Sequence, residues 1–285
     1  MCGIVGYVGK NQAPSILIDG LGKLEYRGYD SAGIAVFDGN EINIAKTKGR
    51  LSNLIKLLLE NPLSGTIGIG HTRWATHGAP SDTNSHPHIS EDHKIAVVHN
   101  GIIENYMDIK EELLKEGYHF LSETDTETIA HLIDYYYKES MDFEDSVFKA
   151  VSRLEGSYAL GIICKDSPDK LIAVRKGSPL VIGKGNGENF IASDIPALLN
   201  YTREVYFLEE EEIAVITDND ISIYDSNRNK IERDIYHVTW DIEAAEKSGY
   251  AHFMLKEIHE QPKIVRETIL KRLPETEDGI VLDNI

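Results

Sequence analysis

Apolar side chains recur along the chain at two spacings, one typical of strands and one typical of helices. Short β-branched runs predict strands at Ile4–Val8, Ala32–Phe37, Glu41–Thr47, Thr66–Thr72 and Ile95–Val98. Apolar residues three and four positions apart predict helices over Pro14–Leu24 and Leu51–Leu59. The first hundred residues are therefore predicted to be mainly strands, interrupted by two helices.

The next part of the chain separates helices from strands. Three amphipathic stretches predict consecutive helices over Glu104–Gly117, Thr124–Lys138 and Phe143–Leu154, with Thr124 or Ser122 as the cap of the second. Strand patterns follow at Tyr158–Cys164, Leu171–Arg175, Leu180–Gly183, Phe190–Ala192, Val205–Leu208, Ile213–Thr217 and Ile221–Tyr224. Blocks of this kind predict an α+β layered domain rather than a doubly wound parallel sheet.

After about Tyr236 the composition changes. A helix is predicted over His252–Leu273, and the acidic segment Pro274–Gly279, with its proline and glycine, is typical of a linker. We therefore predict one domain over residues 1–240 and a linker with a helix over 241–285.

Composition excludes several classes of protein. The 29 Lys and Arg against 47 Asp and Glu give a net charge of −18, which argues against a nucleic-acid partner. No uncharged apolar run approaches the ~20 residues of a membrane helix. Cys2 and Cys164 are the only cysteines and form no zinc-finger pattern, which favours the reducing cytoplasm over a disulfide scaffold.

Cys2 is the most informative single position. Removal of Met1 would leave a free α-amine on a residue that also bears a thiol. An α-amine titrates near ~7.7–8.0 and can accept the proton of a thiol, whose ordinary pKa is about 8.5. Cys2 is therefore a candidate nucleophile that carries its own base. The structural alternative is a small buried thiol, which is also the interpretation preferred for Cys164.

Polar clusters accompany the predicted strands. His71–Gly78 follows one strand, His99–Gly101 follows another, and Asn84–His88 forms a proline-containing loop between them. Binding and catalytic residues are concentrated on such loops. Imidazoles there would also suit a transition metal, the candidates being His71, His77, His86 and His88. Helical i, i+4 spacing and a nearby pair of acidic ligands are lacking, so no metal site is predicted.

Three other segments have plain structural interpretations. Tyr26–Ser31 suits a loop that ends a helix. Ser122–Glu127 suits a helix start with acids in its first turn, which the helix dipole favours. Gly183–Gly187 lacks a phosphate-binding pattern and is predicted to be a hairpin turn.

Taken together, these ordered segments resemble the glutaminase domain of the glutamine–fructose-6-phosphate aminotransferases, a hexosamine-forming branch of the class II glutamine amidotransferases. The likeness covers almost the whole chain. It is carried by Met1–Gly6, Leu24–Gly33, His71–Gly78, Asn84–His88, Val98–Asn105, Ser122–Glu127, Gly156–Ala159, Ser178–Leu180, Ala192–Asp194 and Met254–Pro262.

The resemblance implies an N-terminal-nucleophile hydrolase fold, a four-layer αββα sandwich of two antiparallel sheets between helices. It implies an enzyme that hydrolyses L-glutamine to glutamate and ammonia through a thioester on Cys2. Asn100 and Gly101 would then donate hydrogen bonds to the oxygen of the tetrahedral intermediate. No metal or organic cofactor is called for.

Glutamine recognition is assigned by charge and by the resemblance together. The planar fork of Arg73 suits the α-carboxylate, and Asp125 suits the α-ammonium. By resemblance, other residues complete the substrate site or support it, namely Trp74, Thr76, His77, Arg27 and His86. Trp74 is expected on a loop that covers the site.

Relatives of this kind carry two sugar-isomerase domains after the segment that matches Glu260–Pro262, whereas this sequence stops at Ile285. We therefore expect the glutaminase half, which supplies ammonia for glucosamine 6-phosphate synthesis from fructose 6-phosphate in the cytoplasm. The full enzyme could form a homodimer. Three alternatives stay open: an amidase acting on another amide, the glutaminase half of a different class II amidotransferase, and a silent regulatory module.

Overall fold

The computed structural model describes residues 2–239, 250 and 253–270. The strands are β1 Gly3–Val8, β2 Ser31–Phe37, β3 Ile42–Lys48, β4 Ile67–Arg73, β5 His88–Ile89, β6 Ile95–Ile103, β7 Gly156–Cys164, β8 Ser167–Lys176, β9 Val181–Lys184, β10 Asn189–Ala192, β11 Glu204–Phe207, β12 Glu212–Ile216, β13 Ile221–Tyr224, β14 Lys230–Ile231 and β15 Tyr236–His237. The helices are α1 Ala13–Leu24, α2 Leu51–Glu60, α3 Tyr106–Lys115, α4 Asp125–Ser140, α5 Phe143–Val151, a 3₁₀ turn at Ile195–Ala197 and α6 Phe253–Leu270.

The strands form two antiparallel sheets. The first sheet has the order β15-β11-β9-β10-β1-β4-β2-β3, and the second has the order β14-β13-β12-β8-β7-β6-β5. The predicted hairpin turn joins β9 to β10, where Lys184 pairs with Asn189. The α+β prediction is confirmed.

The two sheets pack face to face through a buried apolar cluster. Ile4 and Ile69 of the first sheet meet Val98, Ile163 and Leu171 of the second within this cluster. The outer face of the second sheet is covered by α3, α4 and α5, which bury residues such as Ile109, Ile133 and Val147 against it.

Helix α1 packs on the outer face of the first sheet, where its Leu17 and Leu21 lie against Gly68 and Gly70 of β4. α2 buries Leu51 and Leu54 on the same side, beside β2 and β3. Helices therefore enclose both sheets, which confirms the predicted four-layer αββα sandwich.

The position of one polar cluster differs from the prediction. His99–Gly101 was expected in a loop after the strand Ile95–Val98, but it lies inside β6, whose ladder with β7 continues to Ile103. His71 and Thr72 lie in β4, within the strand predicted over Thr66–Thr72, and Arg73 extends that strand by one residue. A strand's backbone hydrogen bonds do not depend on whether its side chains are polar. The polar side chains therefore extend the strands instead of ending them.

The remaining differences are small. β5, β14, β15 and the 3₁₀ turn were not predicted, because two or three residues are too few to show a periodicity. α3 begins at Tyr106, two residues later than expected, and ends at Lys115. Thr124 is the N-cap of α4, but its side chain makes no capping hydrogen bond.

The chain divides into two compact units, Met1–Val238 and Thr239–Ile285. α6 belongs to the second unit. Of the linker with a helix predicted over 241–285, residues 241–249, 251–252 and those after residue 270, among them the acidic segment Pro274–Gly279, lie outside the described residues. Within the described part of the chain, no helix has the length and apolar character needed to cross a bilayer.

Candidate active site

A cavity of about 290 Å³ opens where the start of β1 meets the ends of β4 and β6. This size suits a small polar metabolite rather than a polymer. Its walls are formed by Cys2, Arg27, Arg73, Trp74, Thr76, His77, His86, His99, Asn100, Gly101, Ile102, Thr124, Asp125, Thr126, Ser178 and Pro179.

Cys2 lies half-buried at the start of β1. Its Sγ accepts a hydrogen bond from the backbone N–H of Trp74 at 3.2 Å. Its carbonyl accepts one from Nδ2 of Asn100 at 3.1 Å. Burial raises the pKa of the Cys2 thiol, although the Trp74 amide acts in the opposite direction. At neutral pH the thiol is therefore mainly protonated and needs a base before it can attack.

Arg73 supplies a positive charge that its surroundings only partly satisfy. The residue is 3% exposed, and its Nη2 donates to the carbonyls of His77 and, at 3.2 Å, Gly78. Its Nη1 is buried and has no hydrogen-bond partner among the described residues. A buried guanidinium N–H without an acceptor is costly, so this nitrogen indicates a binding position for an anionic oxygen.

Asp125 supplies the opposite charge as the first residue of α4, where the helix dipole favours a carboxylate. Its side chain is buried, and Oδ2 accepts a hydrogen bond from the backbone N–H of Ile103 at 2.9 Å. Its Oδ1 lies 3.8 Å from Nδ1 of His99. The cavity wall therefore carries a buried cation, Arg73, and a buried anion, Asp125, as an amino-acid ligand requires.

Four buried histidines lie in this wall or next to it. His86 and His99 line the cavity, whereas His71 and His88 do not. Burial lowers the pKa of each, that of His71 to about 3, which keeps the rings neutral. Oγ1 of Thr126 links two of them, at 2.7 Å from Nε2 of His86 and 2.9 Å from Nδ1 of His99. Among the described residues, no three His, Cys, Asp or Glu side chains are arranged to hold a metal ion.

Gly101 follows Asn100 on the cavity wall and has a φ of +129°, in the region that favours glycine. A Cβ there would lie 2.0 Å from the carbonyl oxygen of Ser157. Any other residue would push β6 away from β7, so glycine is required for the cavity to have this shape.

The mouth of the cavity is held by the loop after α1. Nη2 of Arg27 donates to Oδ2 of Asp194 at 2.6 Å. A Cβ on Gly28 would lie 2.7 Å from the carbonyl carbon of Arg73, so this loop approaches β4 closely only because residue 28 is glycine. Trp74 is 48% exposed, and its ring meets the edge of Tyr29 at 5.5 Å.

The cavity wall contains all ten residues predicted for the site, although the functions assigned to them remain predictions. Three contributions were not anticipated: Thr126 as the link between two histidines, Asp194 as the partner of Arg27, and Asp30, whose carboxylate accepts from the N–H of Ala75. All three lie inside the segments that carry the family resemblance, and only their contacts across the fold distinguish them.

Comparison with known proteins points to one family. Residues 71–200 match the family model described as a glutamine amidotransferase domain. A glutamine–fructose-6-phosphate aminotransferase (isomerizing) of Clostridium perfringens is 58% identical over all 285 residues, which cover 46% of that protein. The corresponding protein of Aquifex aeolicus is 50% identical over 280 residues, which are 98% of this chain and 47% of the relative. The chain thus spans about half the length of these relatives.

Solved structures agree with this relationship. The glutamine phosphoribosylpyrophosphate amidotransferase of Bacillus subtilis, solved with ADP and GMP, is 29% identical with a TM-score of 0.68, over 80% of this chain and 50% of that one. A glutamine aminotransferase class-II domain protein from Silicibacter pomeroyi shares only the fold, at 15% identity and a TM-score of 0.53, over 79% of this chain and 99% of that one. From the fold, the domain match and the similarity along its whole length, the chain belongs to the class II glutamine amidotransferases of the N-terminal-nucleophile type and corresponds to the glutaminase part of the glutamine–fructose-6-phosphate aminotransferases.

Proposed function

We propose that this chain hydrolyses L-glutamine to L-glutamate and ammonia at Cys2. The observation that carries the proposal is the cavity itself. Its wall combines a thiol, an amide donor, a buried carboxylate and a buried cation, one N–H of which finds no acceptor among the residues the structure describes. The α-carboxylate of glutamine would pair with Arg73 and its α-ammonium with Asp125. This leaves the side-chain amide to reach Cys2.

The proposed reaction requires removal of Met1, so that Cys2 carries a free α-amine. This amine takes the thiol proton as Sγ attacks the amide carbon, and the C=O electron pair moves onto oxygen. Nδ2 of Asn100 and the N–H of Gly101 would stabilise that oxyanion. The amine then gives the proton to the departing nitrogen, the C–N bond breaks, and ammonia leaves a γ-glutamyl thioester. Water hydrolyses the thioester to glutamate and restores the thiol.

The other wall residues would bind and enclose the substrate. The backbone carbonyl of His77 accepts a hydrogen bond from Arg73, and Thr76 precedes His77 on the cavity wall, which supports a part for both in glutamine binding. Trp74 would cover the site while its backbone N–H supports the thiol. Arg27 would order the loop at the mouth, and His86 would support the pocket from behind.

In the longer relatives, ammonia would pass to a sugar-isomerase half, which would make glucosamine 6-phosphate from fructose 6-phosphate, in a full enzyme that could be a homodimer. We assign residues 1–240 to the glutaminase domain and 241–285 to the connection toward that half. A cytoplasmic location is proposed from the sparse cysteines.

The test measures glutamate and ammonia released from glutamine by the 285-residue chain, after intact-mass analysis has established whether Met1 is absent. We expect equal amounts of both products from glutamine and none from N-acetylglutamine, which lacks the α-ammonium that Asp125 would bind. Fructose 6-phosphate should yield no amino sugar with this chain alone. Absence of glutamate from the Met1-free protein, or equal hydrolysis of N-acetylglutamine, would contradict the proposal.

A further inference from the structure

We infer that His71 is a positioning residue for the proposed reaction: it holds the amide of Asn100 in the orientation that presents Nδ2 to the reacting carbonyl. The inference rests on the proposed function and adds to it a residue that does not line the cavity. It is carried by the Nε2–H of the His71 ring, which is shared by two acceptors, the carbonyl of His99 and Oδ1 of Asn100, and so connects β4 of the first sheet to β6 of the second.

The first step concerns the proton of the His71 ring. Its Nε2 lies 2.9 Å from the backbone carbonyl oxygen of His99. A carbonyl oxygen can only accept, so Nε2 must carry the hydrogen. Nδ1 of the same ring is buried with no hydrogen-bond partner among the described residues, as expected for the unprotonated nitrogen of a neutral imidazole.

The second step concerns the amide of Asn100. Nε2 of His71 is also 3.0 Å from Oδ1 of Asn100. Since Nε2 is a donor, the Asn100 atom that faces it must be an acceptor, which fixes Oδ1 on the His71 side. At the other end Nδ2 donates to the carbonyl of Cys2 at 3.1 Å. Both ends of the amide therefore require the same orientation.

The third step concerns the hydrogen that remains. Nδ2 carries two hydrogens, and the bond to the Cys2 carbonyl uses one of them. Because Asn100 lines the cavity beside Cys2, the other hydrogen is available to an oxygen bound next to the thiol. Rotating the amide by half a turn would place Oδ1 there, and a developing negative charge would then face an acceptor instead of a donor.

A purely structural explanation also exists, since the ring stacks on His86 at 4.2 Å and joins the two sheets. The two explanations predict different kinetics. Loss of packing would disturb the whole cavity and with it glutamine binding. Loss of the amide orientation would affect only the step in which negative charge develops, and so would lower kcat and kcat/KM together with KM unchanged.

The experiment compares His71→Ala, His71→Gln and Asn100→Ala in the Met1-free chain. We expect Asn100→Ala to lower kcat for glutamine by ~10²–10³, the usual effect of losing one oxyanion donor. His71→Ala should lower kcat by about tenfold to hundredfold, with KM within about twofold of the unsubstituted chain. His71→Gln should recover most of the activity, because its amide nitrogen can donate from a position close to that of Nε2.

The rate at which iodoacetamide alkylates Cys2 distinguishes the positioning role of His71 from a merely structural role, because the two roles predict different rates in His71→Ala. This displacement develops no oxyanion, so the alkylation rate of His71→Ala should stay within about twofold of the unsubstituted chain. The matched control is His131→Ala, which removes another buried histidine whose Nε2 contacts a backbone carbonyl, that of His119, outside the cavity. It should leave kcat unchanged.

A double-mutant cycle completes the test. In the Asn100→Ala background, His71→Ala should cause no further loss of kcat, because the group it positions is absent. The inference is overturned by an unchanged kcat in His71→Ala, by full additivity in the cycle, by an equal loss in His131→Ala, or by a parallel fall in alkylation. These results are distinct from failure of the proposed function, which would appear as no glutamine turnover in the unsubstituted chain and would remove both claims.

Discussion

The space between the two sheets is apolar along most of its length and polar at one end, although the same strands line both parts. On β4, Ile67 and Ile69 belong to the inter-sheet core, and His71 and Arg73 continue the same alternation. On β6, Ala96 and Val98 belong to that core, and the next residue on that face is Asn100. The change from core to site occurs within two residues of each strand.

The contrast shows how the fold separates stability from chemistry. The apolar part excludes water and stabilises the sandwich. The polar end keeps buried atoms that have no hydrogen-bond partner in the described part of the chain, among them Nη1 of Arg73, Nδ1 of His86 and Nε2 of His99. Such atoms lower stability unless a ligand or water satisfies them, so their concentration beside Cys2 indicates a place built for a ligand.

The largest expected difference between the polar end and the apolar surroundings comes from replacing the cysteine in each. Cys2→Ala should abolish glutamine hydrolysis because no nucleophile remains at the polar end, and it should leave the unfolding midpoint nearly unchanged. The control is Cys164→Ala, since Cys164 is buried among apolar residues on the helical side of the second sheet. It should keep full turnover. Equal losses of glutamate production in the two variants would refute the assignment.

Shortening a core side chain in the apolar part should have the opposite effect: it should lower stability and leave glutamine binding unchanged. Ile69→Ala should lower the free energy of unfolding by about 2–5 kcal/mol, because it leaves a cavity between the sheets. At temperatures where the variant is folded, KM for glutamine should stay unchanged. Urea unfolding with parallel kinetics measures both, with Leu59→Ala as the control because that side chain is 79% exposed. A raised KM with normal stability would show that the two parts are not separable.

Replacing the charged side chain of Arg73 at the polar end should have a smaller effect, which is limited to glutamine binding. Arg73→Lys retains the charge but loses the planar fork, so it should raise KM for glutamine about tenfold to hundredfold, the equivalent of one charged hydrogen bond of ~1.5–3 kcal/mol. Arg175→Lys is the control, since Arg175 contacts Leu208 and Glu210 and does not line the cavity. A KM equal to that of the unsubstituted chain would remove Arg73 from glutamine recognition.

The smallest expected effect is the contribution of the polar end to the pH dependence of the free energy of unfolding. Burial lowers the pKa of His71 from its ordinary 6.5 to about 3. The unfolded chain therefore binds this proton more readily than the folded chain, so stability is complete above about pH 6.5 and is lost as the pH falls toward 3. The slope for one such group is about 1.4 kcal/mol per pH unit.

His71→Gln should make this slope shallower by the contribution of one proton, measured as the free energy of unfolding at several pH values between 6.5 and 5. The exposed His237, replaced in the same way, serves as the control and should leave the slope as it is. An identical slope in His71→Gln and in the unsubstituted chain would contradict the neutral, buried state of His71.

Much of the fold could be predicted from the sequence, because strand and helix spacings are local properties. The blocks of apolar alternation located most strands, and the three consecutive amphipathic patterns located the helices that cover the second sheet. The short strands were missed because their pairing is set by neighbours far along the chain, as where Tyr236 pairs with Val205. Such pairing leaves no periodic signal.

The chemistry of the candidate site was also present in the sequence as residue types. A cysteine after Met1, an arginine beside tryptophan and an asparagine followed by glycine are all visible there, and the family likeness connected them. The end of β6 was misplaced, because the polar side chains of His99 and Asn100 resemble loop residues when only periodicity is considered.

Which of these groups act on each other becomes visible only in the folded protein. That Nε2 of His71 donates toward Asn100, or that Thr126 connects His86 and His99, depends on two sheets meeting at one register. Residues 27 to 40 positions apart in the chain are brought within 3.0 Å there. The elements and the reactive groups could be predicted from the amino-acid sequence, because both are local properties of the chain. The orientation of each group, and therefore its hydrogen bonds and pKa, is set by burial against distant neighbours, which exists only once the chain has folded.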